Sequence, residues 1–491
     1  MQQKNVTPFN CRAEGADRPE EACGVFGVYA PGEEVGRVTY FGLYALQHRG
    51  QESAGIAVTS GNGIFVIKDM GLVSQVFQES SFVSLKGDAA IGHVRYSTTG
   101  SSYWENAQPT YNETCRGPVS IAHNGNLVNS DELRGWLLSR GFSLGRAESQ
   151  VEASTDSAVI AGLLEHSPAP DTPGAVMEVF PRLKGAYSVV ILDENGLYGL
   201  RDPSGIRPLC LGRSKGAYFL ASETAALDVV GAEFVREVEP GELVTIDRTG
   251  VHSRRFAPRG RQALCIFEYI YFARPDSVLH GRVLYDARKE MGMHLAEEAP
   301  VDADLVIPVP DSGVPAAVGY AFRSGIPFGE GLIKNRYIGR TFIQPTQSIR
   351  QLGVKLKLNP LKPVIRGKRL VVVDDSIVRG TTSRKIVELL REAGAAEVHM
   401  RISSPPASSP CFYGIDTADI TELIAARMDI EGIRRFLDAD SLHYLSMDNL
   451  VSACGQPEEL FCTACFDGNY PIAVPDRFKM TKFRLEQKTG A

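Results

Sequence analysis

Val371-Val372-Val373-Asp374-Asp375-Ser376-Ile377-Val378-Arg379-Gly380-Thr381-Thr382 is the stretch on which the reading of this 491-residue chain turns. Consecutive β-branched residues make a short buried strand, and the strand delivers two adjacent carboxylates to the carboxyl edge of a sheet. A loop of Ser, Gly and Thr follows. It opens an amphipathic helix from about Ser383, with Ile386, Val387 and Leu390 on one face and Gly394 as its cap. Such a loop offers backbone N–H groups, hydroxyls and a helix N-terminus to a phosphate. The carboxylates suit the hydroxyls of a sugar or a divalent cation. Upstream, Leu305-Val306-Ile307 leads into Pro308-Val309-Pro310-Asp311-Ser312-Gly313 and a helical stretch at about 314–323. The repeated strand–loop–helix rhythm predicts a parallel α/β sheet in the second half.

Charge agrees with a phosphate ligand there. From Gly331 to Val373 there are ten Lys or Arg residues and no Asp or Glu, which suits a polyanion such as a diphosphate. The whole chain is not basic: 52 Lys and Arg stand against 58 Asp and Glu, a net −6. That balance excludes a global field for nucleic acid. No run of about 18 apolar residues exists, so no membrane partner is expected. The first 22 residues are polar, without the apolar core of a signal peptide, and the expected location is cytoplasmic.

The first half reads differently. From about residue 23 to 255 short apolar runs recur between Gly-rich turns, such as 24–28, 63–67 and 187–192, with helical stretches near 37–47 and 154–165. This predicts sheets with packed helices. The chain breaks near Pro258-Arg259-Gly260. The expected division is a leader at 1–22, one domain at 23–255 and a second at 256–491.

Residue types in the first half fit amide chemistry. Cys23 opens Cys-Gly-Val-Phe-Gly-Val, and Leu46-Gln47-His48-Arg49-Gly50-Gln51-Glu52-Ser53-Ala54-Gly55 follows. Then come Gly92-His93-Val94-Arg95-Tyr96-Ser97-Thr98, His123-Asn124-Gly125-Asn126 and Ser154-Thr155-Asp156. An amide is a poor electrophile, so a thiolate nucleophile helps. If Cys23 became the first residue, its own α-amine, of ordinary pKa about 8, would stand beside a thiol of about 8.5 and could act as its base. Inside a longer chain that nitrogen is an amide and cannot.

The ordered set of motifs over residues 23–240 resembles the glutaminase domain of N-terminal-nucleophile amidotransferases, an αββα sandwich. The segment 371–382 resembles the signature of type I phosphoribosyltransferases. Together they are similar to the glutamine phosphoribosylpyrophosphate amidotransferases over about 23–475. The resemblance implies Cys23 as nucleophile, Asn124 and the Gly125 N–H as oxyanion hole, and Arg95 and Asp156 on the α-carboxylate and α-ammonium of glutamine. It implies Asp374, Asp375, Ser376, Arg379, Gly380, Thr381, Thr382 and Lys334 on phosphoribosyl pyrophosphate. One magnesium ion per chain would lie at Ser312, Asp374 and Asp375, and a closing loop would run from Lys334 through Lys357. The activity implied is a glycosyl transfer. Ammonia from glutamine displaces pyrophosphate to give 5-phosphoribosylamine, which opens purine synthesis. Autocatalytic loss of 1–22, purine nucleotide inhibitors with allosteric control, and a homo-oligomer, tetrameric by resemblance, are implied as well. Two other classes compete: a nucleotide-sensing regulator, which would have no use for the Cys23 set, and a glutamine-dependent transferase with another sugar acceptor.

Nine cysteines without an export signal lean toward metal or catalysis rather than disulfides. Cys462-Thr463-Ala464-Cys465 is a chelate pair, and Cys265 and Cys411 lie in the same half. By count alone the four fit zinc or an iron–sulfur cluster equally. The resemblance, to the branch of the family that carries a cluster, points to one 4Fe–4S unit per chain on Cys265, Cys411, Cys462 and Cys465. Cys454 is the rival ligand, whereas Cys115 and Cys210 read as ordinary loop or core residues.

Overall fold

The computed structural model describes residues 23–96, 103–142, 155–335, 358–415 and 420–475. The leader, Ser97-Thr98, Ser154 and most of the basic closing loop lie outside them.

Two antiparallel sheets lie face to face in the first half. One has seven strands, in the order Glu233–Glu237, Cys210–Ser214, Ala217–Ala221, Gly24–Tyr29, Ala89–Arg95, Ser53–Thr59 and Ile64–Met70. The other has six: Gly250–Arg255, Glu242–Asp247, Leu197–Arg201, Gly185–Leu192, Gly117–Leu127 and Thr110–Thr114. Between them pack Val25, Ile91, Ala122, Val190, Leu197, Leu220 and Val244. Each sheet's other face is covered by helices. Leu43 of Val35–Ala45 packs with Phe26 and Val28, and Val159 and Ile160 of Asp156–Glu165 pack with Val189. The strand Gly24–Tyr29 shows why the runs look continuously apolar: Val25 faces the opposite sheet, Phe26 and Val28 the helix, and both faces are dry. Gly27 has no room for a side chain, since a Cβ would meet Leu197 at 2.9 Å. This is the expected αββα sandwich.

The second half carries a four-stranded sheet in the order Leu305–Pro308, Arg369–Asp374, Glu397–Ile402 and Ser441–Tyr444. All of its pairings are parallel. Along Arg369–Asp374 the residues alternate: Val371 and Val373 pack with Met291 and Ala317 on one face, Leu370 and Val372 with Ile386 and Leu390 on the other. Helices therefore cover both faces, as a parallel sheet requires. The helix after the decisive loop spans Thr381–Glu392 and starts earlier than the apolar period suggests, because Gly380 takes a left-handed conformation (φ +78°) and ends the loop there. The first helix likewise spans Val35–Ala45 and hands over to a 3₁₀ turn at Gln47–Arg49, two residues ahead of the expectation.

The halves are laced together. After the last strand ends at Arg255, Gly260 N–H donates to Pro203 O and Ala263 N–H to Ser204 O, so the connection lies along the first half. Leu264–Cys265 then pairs in parallel with Phe461–Cys462. Among the described residues no helix is long and apolar enough to cross a membrane.

Candidate active sites and a cysteine-lined cavity

Cys23 sits immediately before the strand Gly24–Tyr29, beside the end of Ala89–Arg95. It is buried; its Sγ–H lies 3.2 Å from Tyr96 O, and Tyr96 N–H lies 3.4 Å from Sγ. Burial pushes the thiol up to about 12, and the Arg95 guanidinium pulls the other way. Glu52, Asp156 and Arg207 also act on this thiol, so these charges, remote in sequence, converge on Cys23. Inside an intact chain the sulfur is thus a protonated, weak nucleophile; it needs a base at hand.

Arg95 is buried at its strand's end, 3.8 Å from Glu52. Gly50 makes that site possible, because a Cβ there would lie 2.6 Å from the Arg95 carbonyl carbon. Asp156 opens its helix and accepts from Leu127 N–H at 3.1 Å and Ser157 N–H at 2.9 Å. Its carboxylate stands 3.7 Å from His123 Nδ1. Asn124 is fully buried on the strand Gly117–Leu127, and neither its Nδ2 nor its Oδ1 has a hydrogen-bond partner among the described residues. Buried amides are almost always paired. An orphan here is what a donor reserved for a ligand's oxygen looks like. Gly125 beside it holds φ +146°, and a Cβ would collide with Ala186 O at 2.0 Å.

The second site lies at the carboxyl edge of the parallel sheet. Asp374, Asp375 and Ser376 are buried where the strand ends. Asp375 Oδ1 accepts from Ser376 Oγ at 2.6 Å, and Oδ2 from Ser312 Oγ at 2.5 Å. Ser312 and Asp375, 63 residues apart in the chain, are therefore brought together beside Asp374. Gly313 must be glycine, since a Cβ would lie 2.5 Å from Val373 O. Thr381 and Thr382 form the first turn of a helix, whose N–H groups face outward for an anion. Both expected cations are occupied by carboxylates: Lys334 Nζ is 2.8 Å from Asp311, and Arg379 pairs with Glu422. The donors at Ser312, Asp374 and Asp375 are all oxygens, the type a hard divalent cation takes.

Cys265, Cys411, Cys462 and Cys465 line one cavity with Ile206, Arg207, Tyr413 and Tyr470. Cys454 is buried at the end of the helix Met447–Cys454 and does not line it. Burial raises all four lining thiols, and each of Cys462 and Cys465 is raised further by the charge of its neighbours. Four such thiolates repel one another unless a cation lies between them. Tyr413 N–H points at Cys411 Sγ at 3.4 Å, and the Gly414 and Ile415 amides also favour its thiolate. Four sulfurs are the donor type that a thiolate-bound cluster takes. Among the described residues no group of three or more His, Cys, Asp or Glu is arranged to hold a metal ion, at this cavity or at Asp374 and Asp375.

Comparison with known proteins gives the geometry a family. A glutamine amidotransferase domain family matches residues 93–229, and a phosphoribosyl transferase domain family matches 278–403. The amidophosphoribosyltransferase of Mycobacterium tuberculosis is 55% identical over 478 residues, covering 95% of this chain and 90% of that one. That of Synechococcus elongatus is 55% identical, covering 97% of each. The chain belongs to the amidophosphoribosyltransferase family. The fold agrees throughout. The glutamine phosphoribosylpyrophosphate amidotransferase from B. subtilis complexed with ADP and GMP superposes with a TM-score of 0.87 at 46% identity, covering 94% of this chain and all of that one. A structure described as the allosteric regulatory enzyme of purine biosynthesis gives 0.88, also at 46% identity, with 94% and 98% covered.

Several contacts at these sites had no signal in the sequence. His123, quoted above only as a member of its motif, stands with Ser157 beside Asp156, and Arg207 reaches the cysteine cavity from the first half. Asn126 Nδ2 donates to Phe412 O at 2.8 Å, so the segment after Cys411 rests on the strand that carries Asn124.

Proposed function

We propose that this chain makes 5-phosphoribosylamine from phosphoribosyl pyrophosphate and glutamine, releasing glutamate and pyrophosphate at the first step of de novo purine synthesis. It is a glycosyltransferase with two coupled half-reactions. The observation that carries this is the pairing, in one fold, of a buried Cys23 whose thiol feels the charges of Arg95 and Asp156 with an Asp374-Asp375 edge that opens onto a helix N-terminus.

In the first half-reaction Arg95 holds the α-carboxylate of glutamine with its planar fork, and Asp156 holds the α-ammonium. The α-amine of Cys23, freed by loss of residues 1–22, takes the thiol proton, and Sγ attacks the amide carbon. The orphaned Asn124 Nδ2 and the Gly125 N–H receive the developing oxyanion. Ammonia leaves, and water resolves the thioester to glutamate. In the second, Ser376, Arg379, Gly380, Thr381 and Thr382 hold a phosphate at the helix N-terminus, Lys334 and the 308–313 loop hold the diphosphate, and the two carboxylates orient the ribose. Ammonia attacks the anomeric carbon and pyrophosphate departs. A magnesium ion held by Ser312, Asp374 and Asp375 would supply charge to the leaving group.

We assign the cavity cysteines to one structural 4Fe–4S cluster and, with it, propose the iron–sulfur branch of the family for this chain. What supports this is the convergence of four thiols from segments up to 200 residues apart on one cavity, with amide donors to Cys411. Domains at 23–255 and 256–491, a tetramer, purine nucleotide inhibition and a cytoplasmic location complete the reading. Purified chain is assayed with glutamine and either phosphoribosyl pyrophosphate or a hexose phosphate, alongside its intact mass. Phosphoribosylamine formation by a chain beginning at Cys23 is expected. Turnover of the hexose phosphate instead would refute the acceptor, and full glutaminase activity in a chain that keeps Met1 to Ala22 would refute the role of the free α-amine.

A further inference from the structure

A buried ion network crosses the junction of the two halves and ends on the nucleophile. Arg49, from the 3₁₀ turn after the first helix, is fully buried and donates its Nε–H to the Cys23 carbonyl at 3.2 Å. Its other nitrogens are held by two buried carboxylates: Glu223 Oε1 at 2.6 Å, and both oxygens of Glu268 at 2.9 and 2.7 Å. Glu223 belongs to the first half. Glu268 does not: it lies 219 residues from Arg49, in the segment Glu268–Phe272, which is wound as a π-helix. That unusual winding is braced by Arg288, whose guanidinium donates to the carbonyls of Glu268, Tyr269 and Ala273. Burial lowers the Arg288 guanidinium to about 10, and the Asp375 carboxylate pulls the other way. Glu268 also stands 3.5 Å from Arg207, which lines the cysteine cavity, and three residues after Cys265.

An isolated pair of this kind would be a poor source of stability, because desolvating the charges offsets most of their attraction. Here the pairing is asymmetric in a useful way. The bidentate fork fixes the plane of Arg49, and the Nε–H in that plane fixes the Cys23–Gly24 peptide. The residue that must present an amine and a thiol to one substrate is thus held from the far half of the molecule.

We propose that Glu268 is a positioning residue for Cys23: acting through Arg49, it makes the geometry of the glutaminase nucleophile depend on a π-helical segment of the phosphoribosyl half. This rests on the reading of Cys23 as the glutaminase nucleophile. Glu268 touches no substrate. Its effect is on the approach of Sγ to the amide, where a misplacement of about 1 Å costs up to about 100-fold in rate.

Glu268→Gln keeps the shape and removes the charge and the bidentate fork. We expect a fall of about 10- to 100-fold in kcat for glutamine, with KM for glutamine unchanged, because Arg95 and Asp156 are untouched. Synthesis from free ammonium is expected to stay within about twofold of the parent, and alkylation of Cys23 by iodoacetamide, mapped by mass spectrometry, to slow with kcat. Equal losses with glutamine and ammonium would mean a merely structural role and overturn the proposal, as would an unchanged kcat. Should Glu268→Gln not fold, Arg49→Lys keeps a cation between the glutamates but has no Nε–H for the Cys23 carbonyl. It should show the same loss confined to kcat, and full kcat there overturns the proposal. A parent chain unable to use glutamine at all would instead refute the functional reading beneath it.

Discussion

Asn124→Ala separates catalysis from stability at one buried side chain. The wild-type amide lies fully buried with both of its polar atoms unpaired among the described residues. Leaving a buried polar group unsatisfied costs about 1–3 kcal/mol, so the folded chain carries a penalty that alanine removes. Deleting the amide also removes packing, a cost of about 1–3 kcal/mol of the opposite sign. The two offset, and thermal unfolding should shift by only a few degrees. Catalysis has no such compensation. Loss of one preorganised oxyanion donor costs about 3–4 kcal/mol, or about 100- to 1000-fold in kcat. Glutamate release should fall by that factor with KM for glutamine within a few-fold, and ammonium-dependent synthesis should be unaffected. A kcat loss under about tenfold would refute the oxyanion assignment. A large drop in unfolding temperature would show that the amide is paired after all.

Other perturbations test separate parts of the account. Iron analysis should find about four irons in a brown chain; Cys465→Ser should lose them and misfold, whereas Cys454→Ser should keep them. A colourless, zinc-loaded and fully active protein would favour a zinc site, and iron lost from Cys454→Ser but kept in Cys411→Ser would reassign the ligands. Glu422→Gln should lower KM for phosphoribosyl pyrophosphate by a few-fold, since the exposed Arg379–Glu422 pair, worth about 1 kcal/mol or less, competes with the substrate for the guanidinium; a raised or unchanged KM would contradict this. Burial holds His93 down to about 3. The unfolded chain then binds the extra proton below about 6.5, so stability falls as pH drops from there toward 3, by up to about 1.4 kcal/mol per pH unit. Unfolding temperatures of His93→Asn between pH 7.5 and 5 should show a flatter slope than wild type; an identical slope would contradict it.

The parts legible in the sequence share a property: their signal is local. Val371–Val373 with Asp374-Asp375 and Gly380-Thr381-Thr382 reads as strand, edge and helix start because those roles need adjacent residue types, and the structure places them so. The strands Gly24–Tyr29 and Gly185–Leu192 are visible as apolar runs because both of their faces are buried. The Arg49–Glu268 fork has no such signal. Arg49 lies in the Gln47-His48-Arg49-Gly50 run and Glu268 just beyond Cys265, yet nothing along the chain links an arginine to a carboxylate 219 residues away. The contact of His123 with Asp156 and the place of Arg207 at the cysteine cavity are hidden for the same reason. Taken singly, Arg95 and Asp156 look like surface ion pairs; their burial arises only when the two sheets and the helix Asp156–Glu165 are assembled.

Two chemically separate half-reactions, at Cys23 and at Asp374-Asp375, imply that either can be removed alone. Steady-state synthesis of phosphoribosylamine by Cys23→Ala is measured with glutamine and then with free ammonium. No product is expected from glutamine and near wild-type product from ammonium, with Asp374→Asn doing the reverse by retaining glutamate release while losing sugar transfer. Loss of both activities in Cys23→Ala, or any glutamine-dependent product from it, would refute the separation.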